Sequence, residues 1–157
     1  MLSHLAVHGL FDLTVEAHGD LEIDPHHTVE DVALTLGLAF DRALGNRTGI
    51  TRMGSAYVPM DESLARVCVD LGGRPNLAYD VTLTDRVINN FECDLVEDFF
   101  KAVTDNARMT IHVDLLRGRN SHHSIEAIFK AFARALSEAC AINKRASDQL
   151  PTTKGVL

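Results

Sequence analysis

The chain has few cysteines, no excess of positive charge and no long apolar run, and each shortage removes a class of protein. Cys68, Cys93 and Cys140 are an odd number at wide spacings with no C-x-x-C pair, which excludes a disulfide framework, a thiolate zinc site and a dithiol redox centre. Three reduced, mostly buried thiols are expected instead. The 15 Lys and Arg are outnumbered by 22 Asp and Glu, for a formal net charge of -7. That is the wrong sign for a surface that gathers phosphate backbones, so no nucleic-acid partner is expected. No stretch approaches the roughly 20 apolar residues that span a bilayer. MLSHLAVHGLFD also lacks the basic n-region, apolar h-region and small-residue cleavage site of a signal peptide. A soluble, cytoplasmic protein with no membrane partner follows, and a chain of 157 residues, 46% hydrophobic, suits one domain over 1–157.

What is present in quantity is histidine. Four of the eight histidines fall in two doublets, His26-His27 and His122-His123. Phe11 to His18 alternates apolar and polar residues before a Gly19-Asp20 turn and Leu21-Glu22-Ile23, which predicts a hairpin. After the first doublet, Val29, Val32, Ala33, Leu36, Ala39, Phe40 and Leu44 recur at helical spacing until Gly45-Asn46 stops them. Gly54 to Thr84 predicts two or three strands, Asp94 to Ala107 a helix, and Met109 to Leu116 a strand. Gly118 to Ser121 signals a turn and the start of a helix reaching about Ala141; the tail beyond is irregular.

HHTVEDVALTLGLAF from His26 aligns with HHSIEAIFKAFARAL from His122 at an offset of 96 residues. Two pseudo-repeats, about 10–90 and 91–150, are therefore expected. Each would supply a strand, a turn and a helix with His-His-x-x-Glu in its first turn, giving an α+β fold of helices on a mostly antiparallel sheet.

Residues i and i+4 of a helix share a face, so His26 with Glu30 and His122 with Glu126 each aim a nitrogen and an oxygen at one point. The doublet partners His27 and His123 diverge by about 100° and address a second ion. Imidazole with carboxylate, and no thiolate nearby, suits Mn, Fe, Ni or Zn. One such doublet is ordinarily a solvated first turn or a satisfied buried histidine; two copies at equivalent positions reverse that reading. The residue order does not match H-E-x-x-H, H-x-x-E-H or the Glu-x-x-His of dinuclear bundles, which disfavours proteolysis. Among the cations, Arg52, Arg74, Arg117, Arg119, Lys130 and Lys154 punctuate turns or helix faces where an anion could bind. Lys130 stands at i+4 from Glu126.

DPHHTVED, AYVPMDE, GGRP, GRNSHHSIEAIFKA and LPTTKGVL together resemble imidazoleglycerol-phosphate dehydratases of histidine biosynthesis, and the likeness runs from Met1 to Leu157. That resemblance implies duplicated half-domains of the ribosomal-protein-S5-domain-2-like kind and trimers assembled into a 24-subunit shell. It implies two Mn2+ ions per active site, lying between subunits, and removal of water from imidazoleglycerol phosphate to give imidazoleacetol phosphate. By motif, His26, Glu30 and His122 would serve one ion and His27, His123 and Glu126 the other, with Glu30 and Glu126 also the candidate catalytic carboxylates. Arg52, Arg74, Lys130, Thr152 and Lys154 match positions that hold the small-molecule phosphate substrate. Asp98 stands where the family has a metal-binding histidine and is a candidate ligand. The resemblance further implies an N-terminal segment before Met1, carrying a glutamate and an Asp-His-Met histidine ligand. Asp24, Asp61 and Glu62 are either groups that orient the histidines or ordinary turn acids. Apart from the resemblance, a non-catalytic metal-binding assembly protein and a metal-free domain remain open readings.

Overall fold

The computed structural model describes residues 1–155 and 157; Val156, in the irregular tail, lies outside the described residues. Four helices, α1 (Leu2–Gly9), α2 (Pro25–Leu44), α3 (Leu95–Ala107) and α4 (Ser121–Cys140), accompany strands β1 (Met53–Met60), β2 (Ser63–Asp70), β3 (Asn76–Asp80), β4 (Val87–Ile88), β5 (Phe91–Glu92) and β6 (Thr110–Arg117). The main sheet runs β1-β2-β6-β3. Its first two pairings are antiparallel and β3 lies parallel to β6, so the class is α+β with a mostly antiparallel sheet, as expected.

One face of the sheet is covered by α4. Ala65, Val67 and Val69 of β2 and Ile111 and Val113 of β6 alternate inward, as a half-buried strand requires. They meet Ile125, Ile128, Phe132 and Leu136 of α4, all buried. The helix is apolar on most of its surface because α1 packs on its other side. Phe99 and Phe100 of α3 join Phe129 and Phe132 of α4 in an aromatic cluster with centroids 5.2 to 5.6 Å apart. β1 approaches α4 so closely that a Cβ on Gly54 would lie 2.1 Å from the Ala135 carbonyl oxygen.

The structure departs from the expectations in several places. Phe11 to Ile23 does not form a hairpin: 11–20 has no strand and 21–23 is a turn. The amides of Ile23 and Asp24 both donate to the Asp20 carbonyl, at 2.8 and 3.2 Å, which bends the chain straight into α2. Of the alternating apolar residues only Phe11 and Leu13 pack against the core, Phe11 edge-on to Phe40 at 5.4 Å, while Val15 and Ala17 are exposed. The first doublet therefore follows an irregular segment, whereas the second follows strand β6. Helix α1 was not anticipated, because Met1 provides no side-chain cap and Leu10, at φ 58°, ends the helix where a glycine would have signalled a stop. Of the cysteines, only Cys93 is buried; Cys68 and Cys140 are half-buried, and all three are free. The short β4–β5 hairpin also went unread, being only two residues per strand.

No helix among the described residues is long and apolar enough to cross a membrane. The Gly54 contact is with backbone, which cannot give way as a flexible side chain would. Gly54→Ala is expected to lower stability by about 1–3 kcal/mol through overpacking, read from the urea midpoint; an unchanged midpoint would contradict the close approach.

Candidate metal and substrate site

Both doublets sit in the first turn of a capped helix. Asp24 precedes Pro25 at the start of α2, and its carboxylate accepts from the His26 amide at 2.8 Å. Asn120 does the same for α4, accepting from the His123 amide at 3.1 Å. Each cap satisfies an otherwise orphaned N–H and fixes the turn that carries the imidazoles. The role of Asp24 is thus to start the helix.

The first histidine of each doublet faces its own helix's glutamate. His26 Nε2 is 3.8 Å from Glu30 and His122 Nε2 is 3.4 Å from Glu126, the i, i+4 convergence expected from the spacing. His26 Nδ1 lies 3.3 Å from Asp98 of α3, so the structure brings Asp98 to the first motif, on the far side of the ring from Glu30. The second histidines face elsewhere: His27 Nδ1 contacts Asp20 at 3.1 Å and His123 Nδ1 contacts Glu62 at 2.9 Å. Glu62 also accepts from the amides of Arg119 and Asn120 at 3.2 and 2.8 Å, and Asp61 stands 3.8 Å from His123 Nε2.

Electrostatics follow these contacts. The hydrogen bond from His123 holds the Glu62 carboxyl far below the usual carboxylate range, and Glu62 in turn raises His123. Asp20 and His27 shift each other in the same senses. Glu126 is lowered chiefly by Lys130, whose Nζ is 2.5 Å away. His4 of α1 reaches the same carboxylate at 3.8 Å, and burial lowers its pKa. His4 and Asp20 belong to no motif, and sequence reasoning missed both. In the sequence Asp20 is only half of a Gly-Asp turn signal, and the position of His4 depends on α1, which has neither a capping side chain nor a glycine stop.

The cations divide into two groups. Lys130 lies beside Glu126 on α4, near its N-terminal end. Arg52 lies at the other end, where its amide donates to Ala139 at 2.9 Å. Its guanidinium forks onto Asp70 at 2.7 and 3.0 Å and donates to the Pro151 carbonyl at 2.8 Å. Those bonds draw the segment bearing Thr152 and Lys154 alongside it. A Cβ on Gly72 would sit 2.9 Å from the Arg52 guanidinium, so the turn carrying exposed Arg74 is adjacent. At 1.5 Å rise per residue, the helix from His122 to Ala139 separates the two groups by about 25 Å. Among the described residues, no three His, Cys, Asp or Glu side chains converge on one ion position.

Fold and site together define a histidine- and carboxylate-bearing α+β protein whose chemistry is concentrated at two helix N-termini. The family model described as imidazoleglycerol-phosphate dehydratase matches residues 1–136. Imidazoleglycerol-phosphate dehydratases of Nitrosomonas eutropha and Pseudomonas fluorescens are 53% and 52% identical to it, each over the whole of this chain and 80% of the relative. The crystal structure of the Staphylococcus aureus dehydratase superposes with a TM-score of 0.85 at 44% identity, covering 90% of this chain and 81% of that one. A crystal structure of IGPD from Pyrococcus furiosus gives 0.81 at 32% identity, over 99% and 83%. The chain belongs to the imidazoleglycerol-phosphate dehydratase family. It is accordingly a dehydratase, a carbon–oxygen lyase.

The Glu62–His123 pair makes stability pH-dependent in the metal-free chain. His123, raised above its ordinary 6.5, contributes fully below that pH and loses its contribution as pH climbs through the raised value. Glu62, lowered from 4.5, contributes above that pH and loses its contribution as pH falls through the depressed value. The thermal midpoint difference between wild type and Glu62→Gln is therefore expected to be largest between about pH 4.5 and 6.5 and to shrink on either side. A difference independent of pH would contradict the pairing.

Proposed function

We propose that the chain removes water from imidazoleglycerol phosphate to give imidazoleacetol phosphate in a divalent-metal-dependent reaction, manganese being the metal favoured, at sites completed between copies of the chain. The observation that supports the shared site most directly is the separation of the cations at Arg52, Arg74 and Lys154 from the second His-His-x-x-Glu motif by about the length of α4. A substrate with an imidazole at one end and a phosphate at the other is far shorter than about 25 Å. One copy would thus present the imidazole-binding end and a neighbour the phosphate-binding end.

The donor set fits a divalent cation. Each motif pairs one imidazole nitrogen with one carboxylate oxygen, 3.8 Å apart at His26–Glu30 and 3.4 Å apart at His122–Glu126, and no cysteine lies in either motif. His26, His27, Glu30, His122, His123 and Glu126 would hold the ions, with Asp98 beside His26. Once bound, the metal supplies Lewis-acid stabilisation of developing negative charge and a template for the ring. Loss of water requires a C–H proton to leave and a hydroxyl to depart with a proton. Glu126, kept ionised by Lys130, and Glu30 are the carboxylates in place to take or return such protons. Exposed Arg74 and Lys154, with the Thr152 hydroxyl, offer donors for the phosphate; Arg52 orders that end through Asp70 and Pro151.

Assembly into trimers and a 24-subunit shell would bring the two ends together. Chelation is expected to lower turnover more than about 100-fold, the order of a lost Lewis acid, with recovery on adding Mn2+; full activity in chelator would contradict metal dependence. Arg74→Ala and Glu126→Gln are each expected to lower kcat/KM by about 100-fold or more, and co-expression of the two variants to restore a measurable fraction in mixed assemblies. Failure of mixed assemblies to regain activity would place the whole site within one copy.

A further inference from the structure

The ring nitrogens of the motif histidines are not used at random. Asp20 reaches His27 through Nδ1, at 3.1 Å, and Glu62 reaches His123 through Nδ1, at 2.9 Å. His27 and His123 are equivalent positions of the repeat, yet their carboxylates come from unrelated places: Asp20 from the irregular segment before α2, Glu62 from the turn between β1 and β2. One device has been reached by two routes. His26 conforms as well, with Asp98 at Nδ1 and Glu30 at Nε2.

We propose that Asp20 and Glu62 are positioning residues, each holding the second histidine of its motif by Nδ1 so that Nε2 is the nitrogen presented to the cation. The inference rests on the proposed metal-binding role of the motifs. An ionised carboxylate can only accept, so the Nδ1 it touches must carry the hydrogen. The neutral ring then has its lone pair on Nε2. The same contact fixes the plane of the ring and makes the imidazole a stronger donor, as carboxylates behind metal-bound histidines do.

Glycine beside Asp20 lets the segment run close to α2: a Cβ on Gly19 would fall 1.8 Å from the Thr28 hydroxyl, so a larger residue there would force Thr28 or the segment to move. The Asp20 side chain is not needed to build the turn, since the amides of Ile23 and Asp24 bond to its main-chain carbonyl. Glu62, by contrast, also accepts from the Arg119 and Asn120 amides, so replacing it disturbs the loop before α4. Asp20 is the cleaner position to test.

Mn2+ binding to the assembled protein would be measured by calorimetry for wild type, Asp20→Ala and Asp20→Asn, with metal-free thermal midpoints recorded beside it. Asp20→Ala should weaken Mn2+ binding by about 10- to 100-fold while lowering the metal-free midpoint by no more than the loss of one exposed ion pair does. Asp20→Asn, whose amide oxygen still accepts from Nδ1–H, should recover most of the lost affinity. Equal Mn2+ affinity in wild type and Asp20→Ala would overturn the inference alone, as would an Asn variant no better than Ala. A wild-type protein that takes up no Mn2+ would overturn both the inference and the proposed function beneath it.

Discussion

The burial of α4 is the constraint on which the rest of the structure depends. It lies between the sheet and α1, with Ala127, Ala131, Ala135 and Ala139 among its fully buried residues, and β1 meets it backbone to backbone at Gly54. Small residues on the helix and a missing side chain on the strand allow an approach that dispersion rewards and a single methyl would forbid. A helix held that tightly cannot slide or roll. Its first turn, with His122, His123 and Glu126, is thereby fixed relative to the β1–β2 turn carrying Glu62, and its last turn relative to Arg52.

That rigidity explains the distribution of chemistry. The imidazole–carboxylate groups gather at one end of α4 and the cations around Arg52 at the other, so a rigid helix keeps apart two halves that a small substrate must touch together. The proposed completion by a second copy turns the separation into a reason for assembly. The second motif is also embedded more firmly than the first. Glu126 is held by Lys130 and His4 and His123 by Glu62, whereas Glu30 and Asp20 lie on a more open surface.

Much of this was legible in the residues, because periodicity and capping are local. The ranges of α2, α3, α4 and β6 were foreseen to within a residue or two, and His26–Glu30 and His122–Glu126 converge as i, i+4 geometry requires. The contacts that were not legible are non-local or lack a start or stop signal. Alternation in Phe11 to His18 is equally compatible with a strand and with one-sided packing; only the absence of a ladder partner among the described residues separates them. Helix α1 ends on a leucine in a conformation usually left to glycine. Asp20 and His4 acquire their roles from segments passing over α2 and α4, and the fork of Arg52 onto Asp70 joins residues brought together only by the sheet.

The central claim is that both His-His-x-x-Glu motifs hold a divalent cation through Nε2 of their histidines. Crystals of the assembled protein grown with Mn2+, with diffraction recorded on either side of the manganese edge, test it most directly. The account predicts anomalous peaks within coordination distance of Nε2 of His26, His27, His122 and His123, with Glu30 and Glu126 among the ligands. Manganese located away from these residues, or bound through Nδ1 of His27 and His123, would contradict it.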